Sequence, residues 1–313
     1  MSDCLKKQAY FFIDDVIWPF RDITRERPVS IFDQTLLKML KEAHDKYGLK
    51  VVLNAFYRTD YFYGNDEFTL AEMTDAYKKE WEENSDWLKI GFHAKQEFPD
   101  YPHVNVDYED MKNLYMRFKN EVLRFAGEKT LSTAFNPHWS PVSKDGVRAV
   151  SDCGVKLICV TAGEKREYNG DPSTLPYGHA FRFLNNRKPE TAIFFRDTRD
   201  EEISDSLCGY NHISTEEYER TIYTAETIYD NETGIYFKHF YNGACLNHCS
   251  LEELKLDMEK AMGYEYVCSA THEQYSYPEY FAYQPDSREK LMTMCEVFEK
   301  NGYEYIFVED LVE

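Results

Sequence analysis

The sequence predicts an α/β fold in which helices alternate with parallel strands. Five times along the chain, an amphipathic helical stretch ends near a glycine and a short β-rich run follows. Glycine just past a helix supplies a left-handed cap, and near-continuously apolar runs are typical of strands that are covered on both faces. With two further strands, the pattern gives about seven. We therefore expect a closed or nearly closed α/β barrel, with ligands at the carboxyl ends of its strands.

The predicted elements follow one another in a regular order. The first strand is AYFFIDD at 9–15, and DWLKIGFH at 86–93 is a second strand without a preceding glycine. The five helix and strand units are 33–47 with LKVVLNAF, 108–126 with LSTAF, 143–153 with VKLICV, 251–262 with YEYVCSA, and 287–301 with YEYIFVED. Two helix starts carry capping-box spacing: Ser250 with Glu253, and Ser214 with Glu217.

The region 161–250 interrupts this rhythm. It is polar, rich in Gly, Asn, Asp and Tyr, and it carries the strand-like pieces TAIFF and GIYFKHF. We interpret it as an insertion on the rim of one barrel domain that spans 1–313, and we expect it to carry substrate specificity.

Composition narrows the function classes. The 313 residues include 36 basic and 56 acidic side chains, a formal charge of −20, and 43% of them are hydrophobic. This apolar fraction is enough for a large core, whereas the acid excess disfavours binding to nucleic acid or to an anionic membrane surface. We see no signal peptide and no transmembrane run, and the eight cysteines are scattered. We therefore expect a cytoplasmic protein with reduced thiols.

Polar, chemically competent side chains follow the predicted strands. Two carboxylates, Asp14 and Asp15, end the first strand. The other candidates follow later strands: His93, Glu97, Asn136, His138, Trp139, His272, Glu273 and Tyr275. Because the carboxyl ends of the strands of a parallel barrel meet at one face, we expect these side chains to converge there.

Carboxylates and imidazoles in one cluster suit metal-assisted hydrolysis. Of Asp14 and Asp15, one can ligate a divalent cation while the other acts as general base on the attacking water. His93 and Glu97 have i, i+4 spacing, which brings both onto one face if the loop turns helically. This donor set suits Zn²⁺ or a similar borderline metal, with zinc as the expected cofactor.

Two further groups carry weaker signals. Cys245, His248 and Cys249 offer metal-binding atoms, but no second ligand pair stands at zinc-finger spacing, and a small buried rim segment is the favoured interpretation. Several aromatic residues near the strand ends can stack on sugar rings, or simply pack in the core: Trp139, Tyr275, Tyr277, Tyr280 and Phe281.

Taken in order, these segments resemble the polysaccharide deacetylase family, metal-dependent carbohydrate esterases of the glycoside hydrolase/deacetylase superfamily. FIDDV at 12–16 resembles the motif Thr-Phe-Asp-Asp-Gly, and HAKQE at 93–97 resembles His-Ser/Thr-x-x-His. FNPHWS at 135–140 resembles the groove-lining Arg-Pro-Pro-Tyr/Trp-Gly segment, and the Thr-His pair at 271–272 resembles the late-strand histidine. The ending NGYEYIFVEDL resembles the family's last helix and strand. The similarity covers most of the chain outside 161–250 and implies a distorted (β/α)7 barrel.

The resemblance also implies roles for single residues. Asp14 corresponds to the catalytic base, His272 to the general acid, and Asp15, His93 and Glu97 to the metal ligands. Glu97 stands where the family has its second metal histidine, so His138 or a residue of the rim is the alternative third ligand. Asn136 replaces the arginine that tunes the base, and Val16 replaces the motif glycine. The substrate-binding positions are Asn136, His138, Trp139, Glu273 and Tyr275.

The expected function is thus metal-dependent hydrolysis of a small or oligomeric carbohydrate, most simply deacetylation. A glycosidase of the same superfamily is a second hypothesis, with Asp14 or Asp15 paired with Glu97 or Glu273. A third is a non-catalytic carbohydrate-binding protein on a lapsed barrel. The oligomeric state is open.

Overall fold

A computed structural model describes residues 6–60, 66–98, 102–103, 106–139, 142–160, 220–240 and 242–312. The strands of this part of the chain are β1 (Gln8–Val16), β2 (Val51–Phe56), β3 (Leu88–Ala94), β4 (Leu131–Phe135), β5 (Leu157–Val160), β6 (Ile228–Asp230), β7 (Ile235–His239), β8 (Tyr266–His272) and β9 (Glu304–Tyr305). The α-helices are α1 (Trp18–Glu26), α2 (Thr35–Tyr47), α3 (Lys78–Glu83), α4 (Tyr108–Phe125), α5 (Lys144–Asp152), α6 (Leu251–Ala261) and α7 (Ser287–Lys300).

The strands form one mostly parallel sheet that curls into a half-barrel. Its order is β6-β7-β5-β4-β3-β2-β1-β8, and β9 pairs with the start of β1. Only β6 runs antiparallel to its neighbour among the pairs described. The α/β class that the sequence predicts is therefore confirmed. β1 lies between β2 and the terminal strand β8, and its carboxyl end meets those of these parallel neighbours.

Both faces of the sheet are covered, which explains the near-continuous apolar runs. Side chains alternate along β1, so that Phe11 and Ile13 join the outer core beneath the helices, whereas Tyr10 and Phe12 join the inner core of the half-barrel. The inner core also contains Phe307 from the end of the chain. The concave side is thus filled by side chains, and the carboxyl edge of the sheet is the place for a site.

The helix boundaries follow the predicted signals closely. Gly48 ends α2 with φ 69°, a left-handed conformation that glycine adopts without strain. The capping box at the start of α6 is confirmed, because Ser250 Oγ accepts from Glu253 N and Glu253 Oε2 accepts from Ser250 N. The predicted cap at 214–217 and the TAIFF segment lie outside the described residues. Within the described ranges, no helix has the length and apolar character to cross a bilayer.

The chain differs from the predicted order in two places. Of the segment YEYIFVED, only β9 is a strand, and a 3-10 turn over Val308–Leu311 follows it. Two contacts hold this turn: Val308 packs in the inner core, and the buried carboxylate of Glu309 accepts from Ser132 and Lys89. The described end of the predicted rim insertion contributes β6 and β7 to the sheet, where β7 pairs with β5.

Between β7 and α6, the described chain contacts β8 without forming a regular paired strand. Gly243 N donates to Cys268 O at 2.9 Å, and Cys245 forms an isolated bridge with Ala270. This crossing brings the segment around Cys245 to the carboxyl end of β8.

Candidate metal centre

The end of β1 brings two successive carboxylates into one site. In a regular strand, Asp14 and Asp15 would point to opposite faces. Here the pairing with β2 shifts register between Ile13 and Val16, and Asp15 has φ 63°, in the left-handed region that few non-glycine residues adopt. Such strain persists at functional sites because the surrounding structure enforces it. Both aspartates are buried, with 5% and 4% of their surfaces exposed.

Three side chains from three different strand ends converge at this point. Asp15 Oδ1 lies 3.2 Å from His93 Nε2 and 3.3 Å from His138 Nδ1, and the two ring nitrogens are 3.1 Å apart. Ligands of a tetrahedral zinc ion at about 2.0–2.1 Å stand roughly 3.3 Å from one another. The nearly equilateral triangle therefore has the size of one face of a tetrahedral coordination shell.

The outer hydrogen bonds determine which ring nitrogens carry lone pairs. His93 Nδ1 lies 2.5 Å from the carbonyl oxygen of Asn136, and His138 Nε2 lies 2.9 Å from that of Glu97. A carbonyl oxygen only accepts, so these two nitrogens are the protonated ones, and His93 Nε2 and His138 Nδ1 present lone pairs to the triangle.

The buried Asp15 Oδ1 accepts no hydrogen bond. The buried carboxylate oxygen of Asp15 and the two nitrogen lone pairs therefore face one another at 3.1–3.3 Å. A cation relieves their repulsion, and the donor set of one carboxylate and two imidazoles fits zinc or a similar divalent metal.

Glu97 contributes to this centre through its main chain. Its carbonyl oxygen binds His138, and its carboxylate is not among the three groups that converge. The side chain is 1% exposed and lines a cavity of about 10 Å³ together with Asp15 and Gln274. His138, which the sequence gives as the alternative to Glu97, is the residue that completes the triangle.

Asp14 sits beside the triangle with a different set of partners. Asn54 Nδ2 and Asn136 Nδ2 both donate to its Oδ1 at 2.8 Å. Burial raises the pKa of Asp14, whereas the charges of His93 and His272 lower it. A buried carboxylate with a raised pKa, next to a metal position, has the properties of a general base.

A third histidine, His103, bonds to the end of β3, the strand that carries His93. His103 Nε2 lies 2.9 Å from the carbonyl oxygen of His93. Complete burial lowers the pKa of His103 to about 3, so the ring is neutral and donates to this carbonyl.

His272 ends β8, where the strand register places it beside Asp14. Its Nδ1 lies 3.0 Å from Asn247 Oδ1, which also accepts from the His272 main-chain nitrogen at 3.0 Å. The amide oxygen therefore makes Nδ1 the donor and leaves Nε2 for other chemistry. The charge of His272 lowers the pKa values of both Asp14 and Asp15, as expected of a group close to them.

The remaining predicted residues divide between the site and the core. Glu273 is fully buried, accepts from the main-chain nitrogens of Ile17 and Trp18 at 2.9 and 2.8 Å, and so satisfies the start of α1. Burial raises its pKa well above the usual range. Trp139 stands next to His138, with ring centroids 5.9 Å apart. Tyr275 contacts His272 edge-on at 6.3 Å.

Four functional neighbours escaped the sequence reasoning: Asn54, His103, Asn247 and Gln274. Asn54 carried a signal, because it is the one polar residue in the buried strand VVLNAF. Gln274 Nε2 donates to Asp15 Oδ2 at 3.0 Å, and its position next to two other candidates could have drawn attention. No local sequence signal marks Asn247 or His103, because the path of the chain between strands brings them to the site.

A second cluster lies at the end of β8. Cys245, His248 and His272 offer ligand atoms that lie within 4.8 Å of one another. The sequence grouped the first two with Cys249, but the Cys249 thiol turns to the carbonyl oxygens of Cys245 and Leu246 at 3.4 and 3.7 Å.

An open cleft of about 580 Å³ lies close to the metal centre. It shares Trp18, Thr59 and Asp60 with the small cavity beside Asp15. Phe281 is 76% exposed on its wall, whereas Tyr280 is buried against Trp18. The cleft is therefore the space through which a substrate could approach the triangle.

Compared with models of known protein families and with curated proteins, the chain has no significant match.

Proposed function

We propose that this protein is a metal-dependent hydrolase that removes acyl groups, in the simplest case acetyl groups, from carbohydrates. The observation that carries the proposal is the buried convergence of Asp15 Oδ1, His93 Nε2 and His138 Nδ1 at 3.1–3.3 Å. Three protein ligands leave coordination positions for water and substrate, as in catalytic rather than structural zinc sites.

A bound divalent cation supplies Lewis acidity to the acyl carbonyl and to the attacking water. Asp14 accepts the proton of that water. Both amide donors, from Asn54 and Asn136, go to Oδ1 of Asp14, so Oδ2 is the oxygen that they do not engage. These two amides fix the carboxylate beside the triangle without neutralising it.

His272 protonates the leaving amine or hydroxyl. Asn247 Oδ1 holds the ring through Nδ1, so the proton for transfer resides on Nε2. The pairing of β1 with β8 sets the base and the acid on adjacent strand ends, Asp14 beside His272. A substrate acyl group bound between these strand ends would contact the base Asp14 from β1 and the acid His272 from β8.

The cleft favours neutral or cationic sugars over anionic ones. Its walls carry two guanidinium groups, from Arg21 and Arg25, against five carboxylates: Asp22, Glu26, Asp60, Asp66 and Glu279. Both arginines are engaged with Asp66, which reduces their attraction for an anion. The exposed ring of Phe281 offers an apolar face on which a sugar can stack.

The family resemblance fits this assignment once His138 is taken as the third ligand. The second imidazole then comes from the FNPHWS segment instead of the HAKQE segment, and the set of one aspartate and two histidines is kept. On this basis we propose that the half-barrel is a divergent form of the distorted (β/α)7 barrel of the deacetylases.

The test is acetate release from N-acetylated and O-acetylated oligosaccharides by protein loaded with one equivalent of zinc. We expect turnover that stops on chelation and returns with zinc. Asp14→Asn should abolish turnover while zinc stays bound, because Asp14 is the base and not a ligand. Turnover that survives exhaustive chelation, or an Asp14→Asn variant with full activity, would contradict the proposal.

A further inference from the structure

We propose that Cys245, His248 and His272 form a second metal site, selective for soft or borderline ions, and that an ion bound there silences the acid His272. The metal site is inferred from the geometry of the cluster itself. The inhibition of His272 rests on the proposed function, because it requires His272 to be the proton donor.

The local backbone explains why Cys245 and His248 lie together. Leu246–His248 forms a 3-10 turn that Cys245 precedes as its N-cap. In a 3-10 turn, side chains three residues apart project from the same side, so the thiol and the imidazole share a face. The bridge between Cys245 and Ala270 sets that face against the end of β8, where His272 stands.

The two imidazoles are arranged for a shared ligand. The rings of His248 and His272 are nearly parallel, at 29° with centroids 5.7 Å apart. Because Nδ1 of His272 is bound to Asn247, its Nε2 is the nitrogen that can ligate. His248 is exposed, so an ion can reach the cluster from solvent.

Asn247 Oδ1 is an acceptor that Cys245 and His272 share. This Oδ1 is within bonding distance of four donors: Cys245 Sγ at 3.3 Å, Thr271 Oγ1 at 3.2 Å, and the main-chain nitrogen and Nδ1 of His272, each at 3.0 Å. An amide oxygen has two lone pairs, so it is overcommitted. When Cys245 gives up its proton to bind a metal, one of these donors leaves.

The chemistry of the donors distinguishes this cluster from the first one. One thiolate and two imidazoles prefer Zn²⁺, Co²⁺ or Cu⁺, whereas the site of Asp15, His93 and His138 contains no sulfur. A metal on Nε2 of His272 and the proton that His272 donates exclude one another. One metal ion at the first site should therefore activate the enzyme, whereas excess soft metal should inhibit it by binding at the second site.

The experiment is titration of the full-length protein with Co²⁺, followed by the near-ultraviolet band of thiolate-to-cobalt charge transfer. We expect two equivalents to bind, and the band to grow with the second. Cys245→Ser should lose the band and one equivalent, whereas the matched control Cys249→Ser should keep both, because that thiol faces backbone carbonyls. Asp15→Asn should lose the other equivalent and keep the band. A band that is missing in the wild type, or that survives Cys245→Ser, would overturn the site.

Activity supplies the second arm. In the wild type, turnover with excess zinc should be about 10²-fold lower than turnover with one equivalent, because blocking a general acid costs on that order. In Cys245→Ser, the two rates should be nearly equal. In Cys249→Ser, excess zinc should inhibit as it does in the wild type. A charge-transfer band without any turnover would support the second metal site and contradict the proposed function. A band with turnover that excess zinc does not inhibit rejects the silencing of His272.

Discussion

Two histidine clusters at the same edge of the sheet position their candidate metal-binding side chains in different ways. In the first, Asp15, His93 and His138 are buried, and main-chain carbonyls orient both rings. In the second, Cys245 and His272 are partly exposed, His248 is exposed, and one side-chain amide, Asn247, orients the thiol and one ring. The first cluster is preorganised by the fold itself, and the second depends on a single replaceable side chain.

This difference predicts a division of labour. Buried lone pairs at 3.1–3.3 Å cannot separate to reduce their repulsion, so the first cluster should bind metal tightly and permanently. Partly exposed groups within 4.8 Å can rest without an ion, so the second should bind more weakly and reversibly. A resident metal and a regulatory metal are the expected pair.

The largest effect is expected for Asp15→Asn, which removes the carboxylate of the first cluster. Loss of an outer partner of a metal ligand costs about 10–100-fold in affinity, and loss of the ligand itself should cost more. Competition with a fluorescent chelator measures the dissociation constant for zinc. Unchanged affinity at the tight site would show that the triangle is not the resident site.

The next effect is on catalysis without loss of the resident metal. His272→Asn should lower kcat by about 10²–10⁴-fold, the contribution of a general acid. One equivalent of zinc should remain bound, as determined by elemental analysis after gel filtration. A variant that loses all its metal would place His272 in the first cluster and erase the distinction between the two.

A smaller effect follows from the side-chain support of the second cluster. Asn247→Leu should lower kcat about 10–100-fold, because His272 loses the acceptor that holds Nδ1. Asn247→Asp should restore most of the rate, because a carboxylate oxygen also accepts from Nδ1. The kcat values of the two variants test positioning directly: failure of Asp to rescue would assign Asn247 a purely structural role.

The smallest effect concerns stability against acid. His103 supports the first cluster as a neutral ring with a pKa of about 3. In the unfolded chain the ring binds a proton near its ordinary pKa of about 6.5. Unfolding therefore takes up a proton between these values, and the free energy of unfolding falls as pH drops from about 6.5 towards 3, by roughly 1.4 kcal/mol per pH unit.

Replacement of His103 isolates this contribution. His103→Gln keeps a donor for the His93 carbonyl but does not titrate. Urea unfolding at several pH values should show a shallower loss of stability in the variant than in the wild type. Parallel curves would mean that His103 is not held neutral by burial.

The sequence predicted the parts that depend on local pattern. Helix ends such as Gly48 and the capping box at Ser250 carry their signals within a few residues, and so do buried strands covered on both faces. The same reasoning located Asp15 and His93, because polar residues at the carboxyl ends of parallel strands share one edge.

What the sequence left open depends on the path of the chain between elements. Glu97 and His138 were both candidates for the third ligand, and the choice follows from how the loops after β3 and β4 turn, which no spacing encodes. The partnership of His272 with Cys245 depends on the crossing between β7 and β8. Glu273 was a candidate for substrate binding, and for a carboxylate pair in the glycosidase hypothesis, yet it accepts hydrogen bonds from the start of α1.

The most direct test of the account compares the zinc affinities of His138→Asn and Glu97→Gln. The central claim is that His138, and not the Glu97 carboxylate, completes the site with Asp15 and His93. We predict that His138→Asn weakens zinc binding at the tight site by more than about 10²-fold, whereas Glu97→Gln, which keeps the main-chain carbonyl that orients His138, stays within a few-fold of the wild type. Tight binding retained by His138→Asn and lost in Glu97→Gln would contradict the account.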